Sequence, residues 1–315
     1  MKKDRYLVTG ATGFVGSNLV RQLVKQNSHV SVIVRNKSLN FRLLDIASKL
    51  HVYQADLTKP SLNNVIDQIK PTIIYHLAAY GVPNHQSDVN LMIDTNIKGT
   101  LHLINAVKRY PFKIFVNTGT FSEYEIKEMP MKETDILKPI NDYGVTKAAA
   151  TLFAQKMAIR ENLPIITFRL FYAYGCYEVN RFISNTILAS LENKEVKGTQ
   201  PAFVRDFTYV EDIVDAYIKT KGVKIAPGSV FNIGSGQQHT LKEAANIILK
   251  LTKSKSKVSW GTFFMDRHLE SNKLQADITL AKEILKWRPK YTLNAGLKKT
   301  VEWFQRNKKL YNNVQ

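Results

Sequence analysis

Three glycines spaced three residues apart, Gly10, Gly13 and Gly16, constrain the fold of this chain more than any other feature. They follow a β-rich run at Tyr6–Thr9 and open a helical pattern over Phe14–Lys25. The first glycine permits a tight turn, the second lets the backbone approach a pyrophosphate, and the third lets helix and strand pack closely. The helix N-terminus offers unpaired N–H groups to the same anion. The G-x-x-G-x-x-G spacing between strand and helix therefore predicts a dinucleotide-binding βα unit at the start of the chain.

The first half of the chain alternates β-rich runs with helical periodicity, which is typical of βα units around a parallel sheet. The predicted strands are Tyr6–Thr9, Val30–Val34, Val52–Gln54, Ile73–Leu77, Lys113–Asn117, Ile165–Leu170, Val230–Ile233 and Val258–Gly261. The predicted helices are Phe14–Lys25, Leu62–Ile69, Asn90–Arg109, Asn141–Arg160, Arg181–Leu191, Val210–Lys219, Leu241–Leu251, Thr279–Lys286 and Ala295–Gln305. We therefore predict an α/β fold, with a doubly wound parallel-sheet Rossmann domain and a smaller mixed α/β substrate-binding region toward the C-terminus. The Rossmann domain is predicted over residues 1–170, with returning segments at about 206–234, and the second domain over residues 171–315.

The composition narrows the class of protein. The 315 residues include 45 Lys and Arg against 26 Asp and Glu, a net charge of +19. The basic residues are spread along the chain, without a recognised binding motif or a series of stacking aromatics, so we expect no nucleic-acid partner. Apolar runs are too short to span a bilayer, and Cys176 is the only cysteine, which excludes a disulfide framework and a multi-cysteine metal site. We expect a cytoplasmic protein with no metal and no membrane insertion, and we assign no role to Cys176.

The end of the second predicted strand has no carboxylate, where NAD-binding Rossmann units carry an acidic residue for the adenosine ribose. Arg35 stands there instead, followed by Lys37. A guanidinium suits the 2′-phosphate of NADP. Asp56, after the third strand, is a candidate for holding the adenine amino group. We therefore predict binding of NADP(H) in preference to NAD(H).

Tyr143 and Lys147 lie four residues apart at the start of a predicted helix, and hence on one face. The ammonium is expected to favour the tyrosinate and lower the pKa of the phenol, which makes the phenol a usable acid or base. The pair follows the dinucleotide turn and a fifth strand that ends in Asn117-Thr118-Gly119-Thr120. That context favours a reactive site over a chance match.

Together these motifs resemble the extended short-chain dehydrogenase/reductases, the group of nucleotide-sugar epimerases, dehydratases and 4-ketoreductases. The resemblance covers nearly the whole chain. Further matching motifs are His76-Leu77-Ala78-Ala79, Asn96-Ile97-Lys98-Gly99-Thr100, Arg169-Leu170-Phe171-Tyr172-Ala173-Tyr174-Gly175, Arg205-Asp206-Phe207-Thr208-Tyr209-Val210-Glu211-Asp212, Phe231-Asn232-Ile233-Gly234-Ser235-Gly236 and Leu285-Lys286-Trp287-Arg288-Pro289. The resemblance implies that the second domain binds a nucleotide sugar.

The resemblance also implies roles for individual residues. Thr120 is expected to hydrogen-bond the reacting sugar oxygen, Tyr143 to act as acid or base, and Lys147 to tune Tyr143 and hold the nicotinamide ribose. Arg205 and Arg267 match positions that bind the diphosphate of the nucleotide sugar in relatives. The predicted cofactor contacts are Gly10, Thr12, Gly13, Phe14, Val15, Gly16, Arg35, Asp56, Leu57, Leu77, Ala78, Ala79 and Lys147.

Departures from the family pattern bear on the reaction. The 4,6-dehydratases carry an Asp-Glu pair directly after the catalytic threonine, whereas this chain has Phe121 and Ser122. The 4-epimerases keep NAD bound and normally carry an acidic residue where Arg35 stands. We therefore expect NADPH-dependent reduction of the C4 keto group of a nucleotide-linked 4-keto-6-deoxyhexose, in bacterial deoxysugar biosynthesis. The alternatives are a 4-epimerase with bound NAD, and a catalytically inactive, cofactor-sensing regulatory protein.

Two further expectations come from the resemblance. The nucleotide is CDP or dTDP, and Tyr172, where relatives often carry Asn, leaves the choice of base open. Relatives are often dimers joined by two long helices, which here correspond to Asn90–Arg109 and Asn141–Arg160. A homodimer is therefore expected.

Overall fold

A seven-stranded parallel sheet forms the centre of the computed structural model, which describes residues 4–35, 39–82, 85–125, 130–262 and 273–311. The strands are β1 (Arg5–Thr9), β2 (His29–Val34), β3 (His51–Gln54), β4 (Ile73–His76), β5 (Ile114–Thr120), β6 (Ile165–Leu170), β7 (Tyr172–Tyr174), β8 (Val196–Lys197), β9 (Val204–Arg205), β10 (Phe207–Tyr209), β11 (Val230–Ile233), β12 (His239–Thr240) and β13 (Val258–Ser259). The α-helices are α1 (Phe14–Lys25), α2 (Leu62–Ile69), α3 (Val89–Met92), α4 (Gly99–Val107), α5 (Asp142–Glu161), α6 (Phe182–Leu191), α7 (Val210–Lys219), α8 (Leu241–Thr252), α9 (Thr279–Ile284) and α10 (Leu293–Asn307). Short 3₁₀ helices lie at Leu44–Lys49, Phe121–Glu123 and Lys308–Tyr311, and a π-helical segment at Ile93–Lys98.

The sheet has the strand order β11-β6-β5-β4-β1-β2-β3, and every neighbouring pair is parallel. The direction in which the chain adds strands reverses between β1 and β4. In doubly wound sheets, ligands bind in the crevice outside the carboxyl ends of the strands at such a reversal. The predicted α/β Rossmann fold is confirmed.

Helices cover both faces of the sheet. Successive residues of β1, such as Leu7 and Val8, are both fully buried, as expected for a strand packed on two sides. Helices α1 and α7 pack on one face, and α2, α4 and α5 on the other. A second core joins β7 and β10 to α6, α8 and α10 beside the carboxyl ends of the central strands. Within the described ranges, no helix is both long enough and apolar enough to cross a membrane.

The helix predicted over Asn90–Arg109 is not regular. It begins as α3, passes through the π-helical segment Ile93–Lys98 and continues as α4. The wider turn accommodates Asn96, whose amide pairs with both backbone groups of Tyr80 at 2.8 Å and donates to Thr146 Oγ1 at 2.9 Å. The predicted helix is therefore present from Val89 to Val107, and its π-helical interruption places a buried amide against α5.

Strand β5 includes the whole Asn117-Thr118-Gly119-Thr120 motif, three residues more than the range Lys113–Asn117 that its apolar pattern predicts. Pairing with β6 continues through Gly119 and Thr120, opposite Arg169 and Leu170. The extension carries Thr120 to the carboxyl edge of the sheet, where the candidate site lies.

Candidate active site

The glycine turn forms an open cradle between β1 and α1. Gly10 has a φ of +67°, and a Cβ there would lie 2.5 Å from the carbonyl carbon of Leu77. A Cβ on Gly16 would collide with the carbonyl oxygen of Gly10, so α1 packs directly on the turn. Gly13 is the N-cap of α1 and supplies no side-chain cap, and the first turn of the helix has no acidic residue. The N–H groups of this turn are therefore free of a competing carboxylate and fit a pyrophosphate.

The end of β4 is fixed next to the cradle by His76. Thr100 Oγ1 donates to the Asn96 carbonyl at 2.7 Å, so it accepts from His76 Nε2 at 2.9 Å. Nδ1 then accepts from Thr9 Oγ1 at 2.7 Å, and that hydroxyl accepts from the Ala78 amide at 3.3 Å. Burial, with a smaller contribution from the Lys147 charge, lowers the pKa of His76 to about 3. A neutral imidazole therefore holds the segment of Leu77, Ala78 and Ala79 beside Gly10.

The predicted adenosine end of the cofactor site lies at the ends of β2 and β3. Arg35 is exposed, and Lys37 lies outside the described residues. Although burial opposes the shift, hydrogen bonds from Thr58 and the charge of Arg35 lower the pKa of Asp56. Leu57 is buried beneath α4, and its carbonyl meets His102 Nδ1 at 3.1 Å. A solvent-facing guanidinium and an ionised carboxylate thus stand together at this edge.

Thr120 and the start of α5 are brought together by close backbone packing. The side chain of Asn141 caps α5 by accepting from the Gly144 amide at 2.7 Å, which puts Tyr143 in the first turn. A Cβ on Gly144 would collide with the carbonyl oxygen of Ser122, so that turn packs directly on the residues after Thr120. Lys147 follows one turn later and is buried, with only 2% of its surface exposed. The structure therefore brings Thr120, Tyr143 and Lys147 to one place at the carboxyl edge.

A buried ion pair supports Thr120 from below. Glu123 Oε1 accepts from the Thr120 amide at 2.9 Å and from Thr151 Oγ1 of α5 at 3.1 Å. Its other oxygen accepts from Arg169 Nε at 2.7 Å, and both side chains are shielded from solvent. Arg169 in turn donates to the hydroxyl of Tyr124 at 2.8 Å. Sequence reasoning missed Glu123, although the T-x-x-E spacing of Thr120 and Glu123 is that of a capping box and was available as a signal.

Burial determines the protonation of the two residues on α5. It raises the pKa of Tyr143 above its ordinary value; the charge of Arg181 opposes this shift, and that of Glu123 adds to it. The predicted lowering of this pKa by Lys147 is therefore not observed, because loss of solvent around the phenol dominates. Burial lowers the pKa of Lys147 to about 8, against the opposing charge of Glu123.

Of the two arginines predicted to bind the diphosphate, Arg205 is among the described residues. Arg205 is buried, donates to the Val204 carbonyl at 2.7 Å and lies 5.8 Å from the centre of the Tyr172 ring. Arg181, which sequence reasoning did not single out as a functional residue, lies 5.6 Å from the same ring. Arg267 lies outside the described residues. Two guanidinium groups therefore meet at Tyr172, on the side of the site where β7 and β10 pair.

Comparison with known proteins finds similarity in sequence and fold over nearly the whole chain. A family model described as GDP-mannose 4,6 dehydratase matches residues 7–300. UDP-glucuronate 4-epimerase of Thermodesulfobacterium geofontis is 29% identical over 328 residues, covering 98% of this chain and 99% of that protein. The structure of UDP-glucose 4-epimerase of Thermotoga maritima with UDP-glucose superposes with a TM-score of 0.86 at 27% identity, covering 96% of this chain and 98% of that one. That of dTDP-glucose 4,6-dehydratase of Bacillus anthracis in complex with NAD gives 0.86 at 26% identity, covering 99% and 100%.

Proposed function

Because the chain belongs to the GDP-mannose 4,6-dehydratase family of extended short-chain dehydrogenase/reductases, we propose that it uses NADPH to reduce the C4 keto group of a nucleotide-linked 4-keto-6-deoxyhexose. CDP and dTDP are the proposed nucleotides, and bacterial deoxysugar biosynthesis is the proposed setting. In this proposal residues 1–170 hold the cofactor, and residues 171–315 hold the nucleotide sugar in the cytoplasm. Arg205 and Arg267 bind its diphosphate.

The observation that carries the proposal is the set of side chains beside Thr120. Phe121 packs against Phe171, with ring centres 5.9 Å apart, and Ser122 is buried. The Glu123 carboxylate is buried and forms an ion pair with Arg169. Among the described residues next to Thr120, there is therefore no free carboxylic acid to protonate a leaving hydroxyl and no free carboxylate to remove the proton at C5. Hydroxyl groups and one ammonium remain, which suits proton transfer to a ketone.

The reduction needs a hydride and a proton. NADPH held by the glycine cradle would supply the hydride for C4 of the sugar. Tyr143 is protonated at neutral pH, as a phenol is at its ordinary pKa or above it, and it donates that proton to O4. Thr120 donates a hydrogen bond to the same oxygen and orients the carbonyl. Lys147 holds the nicotinamide ribose, and solvent returns a proton to the phenol after turnover.

The cofactor residues are those of the glycine cradle and the neighbouring strand ends. The backbone of Gly10 to Gly16 receives the pyrophosphate, and the segment from Leu77 to Ala79 lies along the cofactor. Arg35 selects the 2′-phosphate of NADPH in this proposal, whereas the structural relative from Bacillus anthracis is in complex with NAD.

We expect Arg35→Asp to weaken NADPH binding by about 10- to 150-fold, the loss of one charged hydrogen bond worth about 1.5–3 kcal/mol. NADH, which lacks the 2′-phosphate, should lose far less. Isothermal titration with both cofactors measures the difference. Lys25→Asp makes the same charge change on the exposed last turn of α1 and should leave the NADPH/NADH ratio unaltered. Equal losses for both cofactors in Arg35→Asp would remove Arg35 from phosphate recognition.

The main alternative is a 4-epimerase with bound NAD, which the similarity to the UDP-glucuronate and UDP-glucose epimerases favours. An epimerase interconverts UDP-hexoses without consuming external cofactor. A reductase oxidises NADPH only when a 4-keto sugar is present. Following NADPH absorbance with CDP-, dTDP-, GDP- and UDP-linked 4-keto sugars, and product stereochemistry with UDP-glucose and UDP-glucuronate, separates the two. Inactivity in both assays, with cofactor still bound, would leave the regulatory alternative.

The homodimer proposal is supported by an exposed apolar stripe on α5. Val145, Leu152 and Ile159 recur every seven residues and are 51%, 53% and 64% exposed, with Phe153 beside them at 49%. Such a stripe on one helix face is typical of a helix that packs against another chain.

We expect Leu152→Glu to convert the dimer to a monomer, since the charge would have to be buried in the interface. Sedimentation velocity measures the change. Ile136→Glu is the matched control, because Ile136 is 82% exposed and lies outside α5. A wild-type protein that sediments as a monomer, or a Leu152→Glu protein that remains dimeric, would contradict the assignment of this face.

A further inference from the structure

Residues 175–181, which connect β7 to α6, carry both backbone strain and an unpaired carboxyl group. Tyr177 and Asn180 have φ values of +69° and +53°, in the left-handed region. Glu178 is fully buried, and neither of its carboxylate oxygens has a hydrogen-bond partner among the described residues. Burial raises the pKa of Glu178 to about 8. Such costs persist only where surrounding contacts impose the conformation.

The contacts that impose it come from the cofactor-binding unit. Asn18 Nδ2 donates to the Cys176 carbonyl at 3.0 Å, and the Arg21 guanidinium stacks 4.4 Å from the centre of the Tyr177 ring. Both residues lie on α1, the helix whose N-terminus forms the phosphate cradle. The third contact is from Arg42, whose Nε donates to the Tyr177 carbonyl at 2.9 Å.

Arg42 also holds the cradle itself. Its NH1 donates to the Thr12 carbonyl at 3.1 Å, and Asn40 Nδ2 donates to the same oxygen at 2.8 Å. The Arg42 carbonyl accepts from Nε and NH2 of Arg21 at 3.0 and 2.6 Å, which fixes the backbone of Arg42 against α1. Only 9% of Arg42 is exposed. One buried guanidinium therefore bridges the glycine turn and the 175–181 segment.

The far end of the segment carries Arg181. Its guanidinium lies over the Tyr172 ring, 5.6 Å from the ring centre, on the side of the site where Arg205 also meets this ring. The planar guanidinium of Arg42 donates to the carbonyls of Thr12 and Tyr177 at the same time. A shift of the Thr12 peptide therefore disturbs the hydrogen bond to Tyr177 as well. The position of Arg181 is thus mechanically linked to the state of the cradle.

We propose that Arg42 is a positioning residue, which transmits dinucleotide binding at the glycine turn to the 175–181 segment and so sets Arg181 over the ring of Tyr172. The inference rests on the proposed cofactor site and does not depend on which nucleotide sugar reacts.

Hydrogen–deuterium exchange of the full-length protein tests this coupling without any substrate. NAD⁺ and NADP⁺ are used in separate arms, at concentrations shown by calorimetry to saturate. In the wild-type protein, cofactor should slow exchange both in the glycine turn and in peptides covering residues 175–181. In Arg42→Met, protection of the glycine turn should persist while that of residues 175–181 is lost. Arg109→Met, an exposed arginine at the end of α4, should behave as wild type.

Two results would overturn the proposal: no protection of residues 175–181 by either cofactor in the wild type, or full retention of that protection in Arg42→Met. If Arg42→Met does not fold, Arg42→Lys keeps the charge but cannot reach both carbonyls, and its loss of protection is the supporting result. Protection in the wild type that Arg42 variants lose, together with no NADPH oxidation by any 4-keto sugar, supports the coupling while rejecting the proposed reaction.

Discussion

Replacing Tyr143 with phenylalanine should lower kcat/KM for the 4-keto sugar by about 10²- to 10⁴-fold, the contribution typical of a positioned general acid. The phenol is the proton donor to O4 in the proposed reaction, and phenylalanine keeps the ring while removing the proton. NADPH binding should be almost unchanged, because the glycine cradle and Arg35 lie on other elements. Initial rates of NADPH oxidation and a parallel cofactor titration measure the two effects.

Tyr110→Phe provides the matched control for that substitution. Its hydroxyl also makes a hydrogen bond, to Asp67 at 2.9 Å, but Tyr110 precedes β5 and lies at the opposite edge of the sheet. This variant should keep wild-type rates. A Tyr143→Phe enzyme that turns over at a rate comparable to Tyr110→Phe would show that another group protonates O4.

Replacing Glu123 with glutamine should lower the free energy of unfolding by about 3–5 kcal/mol, the usual cost of breaking a buried ion pair from one side. The substitution leaves the Arg169 guanidinium buried without its counter-charge. It also weakens the acceptor that holds the Thr120 amide, so turnover should fall as well. Urea denaturation of the intact protein measures the change in stability.

The neighbouring Glu125 offers a control with the same chemical change. It pairs with Lys138, and both side chains are exposed, so Glu125→Gln should cost no more than about 1 kcal/mol. Adding Arg169→Met to Glu123→Gln removes the orphaned charge and should recover part of the loss. Equal destabilisation by Glu123→Gln and Glu125→Gln would contradict a structural role for the buried pair.

The central sheet could be predicted because most of its strands are short apolar runs buried on both faces, although the edge strand β3 is largely exposed. Ile165–Leu170 and Val230–Ile233 agree with the structure at both ends, as does the helix Phe14–Lys25. The short strands β9 and β12 could not be predicted, since two residues contain no period. Antiparallel pairing of Arg205 with His239 creates them, and that pairing depends on the packing of distant segments.

The candidate site likewise contains residues that local motifs predict and residues that depend on distant contacts. Thr120, Tyr143 and Lys147 were predictable because each stands in a local motif with a chemical reason for its spacing. Loss of solvent raises the pKa of Tyr143, opposite to the predicted lowering, because a four-residue spacing to Lys147 does not reveal how the surrounding residues shield the phenol. Arg42 contacts Thr12 and Tyr177, which lie 30 and 135 positions away, and no local pattern marks it.

The most direct test of the proposed reaction is the fate of deuterium in NADPH that carries it at both hydrogen positions of nicotinamide C4. With a nucleotide-linked 4-keto-6-deoxyhexose, we expect one deuterium at C4 of the sugar product for each NADP⁺ formed, detected by mass spectrometry and NMR. A product epimerised at C4 without deuterium from the added cofactor, or NADPH left unoxidised by all four classes of 4-keto sugar, would contradict it.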